Sequence, residues 1–111
     1  MRRAIEPLRR KFIDELDGKI LDMEALKKMV IDGDRGQEAL SEIVSRAHKL
    51  RGVAGSFGLN ALGDAARGFE ESYLDLFQSS DRHETAFAEK WTILAPRLEA
   101  LMDQMELALD K

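Results

Sequence analysis

The sequence predicts an all-α protein, an antiparallel up-down-up-down four-helix bundle that leaves room for an N-terminal helical extension. Composition is the first observation: 34% of the 111 residues are charged, only two are proline, and Leu, Ala, Glu, Lys and Arg recur, which favours soluble helices over a sheet. The second is periodicity, since four amphipathic segments alternate apolar residues by three and four. The third is brevity of the breaks, near residues 33–36, 58–60 and 79–82, because short connections make successive helices antiparallel neighbours. Each stripe then finds a partner, so one domain over residues 1–111 and a monomer are expected.

The first segment carries Leu8, Phe12, Leu16, Ile20, Met23, Leu26 and Val30, with Gly18 as a point where it can bend, and Asp32-Gly33-Asp34 as its stop. A second helix is expected to start from Asp34, with Gln37 closing a capping box, and to bury Leu40, Ile43, Ala47, Leu50, Ala54 and Phe57. Gly58 supplies a left-handed cap, and Asn60 is the expected cap of a third helix that buries Leu62, Ala66, Phe69, Tyr73 and Phe77. Asp81 with Glu84 reads as the capping box of a fourth helix burying Phe87, Trp91, Leu94, Leu98, Leu101, Met105 and Ala108. Pro96 falls inside that run and predicts a kink near Ala95.

Composition also excludes function classes. The formal net charge of −4 argues against general nucleic-acid binding, although Arg2, Arg3, Arg9, Arg10 and Lys11 make the start of the chain basic, a run read as a solvated helix face. No cysteine is present, so neither a disulfide framework nor a thiolate metal site is expected. No apolar run reaches the roughly 18 residues of a membrane span, and the basic start lacks a signal-peptide core, which predicts no membrane partner and a cytoplasmic location. Residues 52–58 have neither phosphate-loop spacing, and Asp32, Asp34 and Glu38 do not complete a calcium loop.

The chemistry concentrates around His48. An unperturbed imidazole titrates near 6.5, so around neutral pH one ring nitrogen keeps a nucleophilic lone pair that can accept a phosphoryl group. His48 sits on the flank of the second apolar stripe, where solvent reaches it. Arg51 and Gly52 follow it by three and four residues and share its face, as do Ser41 and Ser45. Arg51 can balance phosphoryl charge. Glycine inside a helix costs about 1 kcal/mol relative to alanine, so Gly52 and Gly55 point to close approach of another surface. In a hairpin folded near residue 59, the position level with His48 is near residue 70, where Glu70 or Glu71 can accept a hydrogen bond from one ring nitrogen and aim the other outward. His83 has no such surroundings and reads as surface.

The string His48-Lys49-Leu50-Arg51-Gly52, with Gly55 and Gly58 after it, resembles the signature of the histidine-containing phosphotransfer (HPt) domains. Leu59, Leu62, Ala66, Phe69 and Glu70 are similar to the family's next helix, and the likeness runs over about residues 10–108. The family usually has lysine where this chain has Arg51, a change that keeps the charge and alters its geometry. The resemblance implies that His48 is a phosphoacceptor, that the acidic position matched by Glu70 orients the imidazole, and that Arg51 stabilises charge. Docking is expected at Ser41, Val44, Ser45, Gly52 and Gly55.

Three functional readings follow. In the first, the chain is a phosphorelay carrier that takes a phosphoryl group from a receiver-domain aspartate and passes it to another receiver. Its partners are then response-regulator receivers, a hybrid histidine kinase or both; no cofactor is expected on this chain, Mg2+ belongs to the receiver, and no independent turnover is expected. In the second, it is the phosphoacceptor domain of a larger histidine kinase, which a reading frame continuing past Lys111 would favour. In the third, it is a structural or adaptor bundle and His48 is idle.

Overall fold

The computed structural model describes residues 2–78 and 86–109. They form four helices, α1 (Arg2–Asp32), α2 (Gly36–Ser56), α3 (Asn60–Phe77) and α4 (Phe87–Leu109), and no strand occurs among the described residues. Each helix packs chiefly on its two neighbours around a ring, α1 on α2, α2 on α3, α3 on α4 and α4 on α1, as the four stripes predict.

Glycine makes the two tight turns possible. Gly33 and Gly58 have φ of 77° and 73°, a left-handed conformation that only glycine adopts without a Cβ penalty. After Gly33, the Asp34 N–H donates to the Met29 carbonyl; after Gly58, the Leu59 N–H donates to the Ala54 carbonyl. Both are six-to-one closures that satisfy carbonyls otherwise orphaned at a helix end.

This economy corrects two expected caps. Asp34 does not start α2, because its N–H already closes α1; left-handed Arg35 (φ 53°) precedes Gly36 and makes no side-chain capping bond. Asn60 does not cap α3 either: Leu59 holds the cap position, and Asn60 is already helical. The expected capping box of Asp81 and Glu84, the break at 79–82 and His83 lie outside the described residues.

The core is one cluster. Leu16, Ile43, Ala47, Ala54, Ala66, Phe69, Leu94, Leu98, Leu101 and Met105 have no exposed surface, while Tyr73, Phe77, Phe87 and Trp91 pack at its margin. Leu8 is the exception in the first stripe, being 58% exposed. The reason is length: Arg9 donates from Nε to the Phe57 carbonyl at 3.2 Å, level with the end of α2, so α1 residues before Arg9 run past the bundle. The longest dimension of the molecule, 51 Å, is close to that of a 31-residue helix, about 46 Å. Gly18 lies within a continuous α1. The helix α4 likewise continues through Pro96, whose exposed position leaves the carbonyl one turn earlier open to water.

Between α1 and α4, Lys27 is hydrogen-bonded to Glu99, a contact that holds the lysine above its ordinary titration range against the opposing effect of burial. One buried cation escaped the sequence reading: Lys90 places its ammonium 5.0 Å from the centre of the Phe77 ring.

Candidate functional site

His48 lies in the middle of α2 on the side turned toward α3. Buried Ala47 and Leu50 anchor the helix on either side of it, so the imidazole emerges at the edge of the core and its side chain is 70% exposed. Opposite it, Phe69 is fully buried and fixes the rotation of α3, which brings Glu70 to the α2–α3 seam with 13% of its side chain exposed.

The two side chains meet. His48 Nδ1 lies 2.7 Å from Glu70 Oε2, and Arg51 donates from Nη1 to the other carboxylate oxygen, Oε1, at 3.0 Å. Burial pushes the Glu70 carboxyl up, yet the hydrogen bonds from Arg51 and His48, with their charges, outweigh it and hold Glu70 below its ordinary range. An ionised carboxylate only accepts, so Nδ1 carries the shared hydrogen, and in the neutral ring Nε2 is then the nitrogen with the lone pair. Of the two acids that hairpin arithmetic left open, Glu70 makes the contact; Glu71 is exposed.

Arg51 sits where its spacing put it, but its guanidinium is engaged with Glu70. The expected docking residues share the outer surface of α2: Ser41, Ser45, Gly52 and Gly55 are exposed and Val44 is half-buried. A Cβ added at Gly52 or Gly55 would meet nothing within 4 Å, so no packing inside the molecule requires glycine at either position.

Two neighbours were not expected. Leu74, 45% exposed, follows Glu70 by one turn on α3, just as Val44 precedes His48 by one turn on α2, and together they flank the pair with apolar surface. On the other side, a notch of about 170 Å³ is lined by Arg51, Gly55, Asn60, Gly63, Asp64 and Arg67, with Arg67 donating to Asp64 at 3.5 Å. Leu74 lies off the three-four stripe of its helix, and that is the signal that could have found it. Among the described residues no group of His, Cys, Asp and Glu is arranged to hold a metal ion, and no helix is long and apolar enough to cross a membrane.

A four-helix bundle that presents an exposed imidazole, held through Nδ1 by a carboxylate of the adjacent helix, is built to offer Nε2 to something outside itself. Residues 7–108 match the family model described as Hpt domain, and the chain belongs to the histidine-containing phosphotransfer domains. Its role is histidine phosphotransfer in two-component signalling, in which Hpt domains interact with receiver domains and histidine kinases. No curated protein and no solved structure matches the chain.

Proposed function

We propose that this chain is a phosphorelay carrier in which Nε2 of His48 accepts a phosphoryl group from a receiver-domain aspartate and passes it to the aspartate of a second receiver. The observation that carries this reading is the 2.7 Å contact between His48 Nδ1 and Glu70 Oε2 beneath an otherwise exposed ring.

In the forward step the Nε2 lone pair forms the nitrogen–phosphorus bond while the phosphorus–oxygen bond to the receiver's aspartate breaks, and that aspartate leaves as a carboxylate. Positive charge develops on the imidazole, and the Glu70 carboxylate, itself held by Arg51, lies against it. Nδ1 keeps its hydrogen throughout, so no proton needs to leave the site. Transfer to the second receiver is the same step reversed.

The receiver brings the acidic pocket and magnesium, while this chain brings a rigid platform, an aimed nucleophile and small residues at Gly52 and Gly55 that let the pocket close over it. A cytoplasmic monomer suits that task, because the partners must alternate on one exposed face.

The test is incubation of the protein with labelled phosphorylated receivers and magnesium, wild type beside His48→Gln, followed by acid treatment. Acid-labile label on wild type alone is expected. Label that survives acid, or that persists in His48→Gln, would overturn the assignment. Failure to take label from a broad receiver panel, with labelling by a kinase and ATP, would favour direct phosphorylation.

A further inference from the structure

We infer that the basic end of α1 is an electrostatic guide that speeds the approach of an acidic receiver surface to His48, an inference that rests on the phosphorelay reading. Charge is strongly segregated along the chain. Residues 1–11 carry five cations (Arg2, Arg3, Arg9, Arg10, Lys11) against one acid, Glu6, while residues 12–111 carry twelve cations against twenty acids. The first eleven residues of an acidic chain therefore carry a net positive charge.

The fold sets that end apart. Contact of Arg9 with the Phe57 carbonyl places it level with the α2–α3 turn, and the helix continues outward from there, back to Arg2. Arg10 and Lys11 are exposed, and neither has an acidic partner within salt-bridge distance among the described residues. Arg46, by contrast, is engaged by Asp22 and Glu42. Exposed cations without a bonded acid, at the level where the helix begins to outrun the bundle, extend their field into solvent.

Position decides what that field acts on. From His48 to Phe57 is nine residues, about 13 Å along α2. A partner domain of about 100 residues has a radius of gyration of about 13 Å, so one seated over His48 reaches the level of Arg9. An acidic receiver surface beside its aspartate pocket is drawn toward the positive end of α1, and so toward the adjoining His48 face, while the acidic remainder of the bundle resists other approaches. Nucleic acid and anionic membranes are extended polyanions that would also meet that acidic remainder.

The experiment compares wild type with a variant carrying Arg2→Gln, Arg3→Gln, Arg10→Gln and Lys11→Gln, leaving Arg9 because it bonds the Phe57 carbonyl. Rapid-quench transfer from a labelled phosphorylated receiver is measured against receiver concentration at about 20 mM and about 500 mM salt, where screening differs several-fold. The variant should lose about tenfold in the second-order rate constant at low salt, with the same rate at saturation, and match wild type at high salt. Equal low-salt rates with wild-type transfer intact would sink the guide alone. A wild type that takes no label from any receiver would sink the phosphorelay reading and the guide with it. Cosedimentation of wild type, but not the variant, with phosphatidylserine vesicles, together with equal transfer rates, would reassign the basic end to a membrane.

Discussion

His48 Nδ1 lies 2.7 Å from Glu70 Oε2, while Arg51 holds the opposite oxygen of the same carboxylate at 3.0 Å. Glu70 is thus fixed from one side by a permanent cation and fixes the imidazole from the other, so the orientation of the ring depends on a residue of a different helix.

Removing that carboxylate should therefore change the tautomer before it changes the fold. In Glu70→Ala the ring loses its acceptor, and a hydrogen bond to a charged group is worth about 1.5–3 kcal/mol, or roughly 10- to 150-fold in the population of the productive form. Nitrogen-15 NMR of His48 should show Nδ1–H predominating in wild type and a mixture in the variant, and phosphotransfer should fall by about tenfold or more. An unchanged tautomer with impaired transfer would mean that Glu70 acts by some other route.

The same carboxylate makes stability depend on pH in a definite direction. Its titration is depressed in the folded state, so its contribution is fully present above the unfolded value of about 4.3 and is lost as pH falls through the lower folded value. Urea unfolding of wild type and Glu70→Gln should accordingly give a stability difference that is present at neutral pH and disappears in acid, as pH falls through the folded value. A difference that persisted undiminished well below that folded value would contradict the ionised pair.

Gly52 separates stability from function. A Cβ there meets nothing within 4 Å, and alanine is favoured over glycine in a helix by about 0.5–1 kcal/mol, so Gly52→Ala should stabilise the bundle by that amount in urea unfolding. Gly52→Gln should fold as well as wild type yet lose about tenfold or more in transfer, because its side chain occupies the space one turn beyond His48. Normal transfer by Gly52→Gln would remove the case for close approach at this point.

Much of this architecture was legible before any coordinates. Ala47 and Leu50 fix the rotation of α2, so the flank position of His48 followed from the three-four stripe, and the turn at Gly58 put the region of residue 70 level with it by counting, which left Glu70 and Glu71 open until the family's acidic position favoured Glu70. What escaped depends on geometry between elements. Asp34 looks like a helix cap, but its N–H is taken by the turn that closes α1; Leu8 keeps the stripe's period, but α1 outruns its neighbours and nothing lies there to cover it. Arg51 was placed correctly, but the carboxylate that engages it belongs to α3, and only packing decides which of several nearby acids that is. Periodicity reports which way a residue faces, and it is silent about whether a neighbour is there.

Leu74 gives the most direct test of where a partner sits. It is 45% exposed and one turn from Glu70, so burial within the protein does not account for a leucine there, and substitution should alter stability by no more than about 0.5 kcal/mol. If receivers cover the His48 face, Leu74→Asp should weaken transfer about tenfold at subsaturating receiver, because it places a charge in a surface that must lose its water on docking, and raising the receiver concentration should restore the rate. Ile93→Asp is the matched control: Ile93 is 56% exposed on α4, the helix across the ring from α2, and its substitution should leave transfer unchanged. Equal effects of the two substitutions would show that added negative charge, rather than lost apolar contact beside His48, slows the partner.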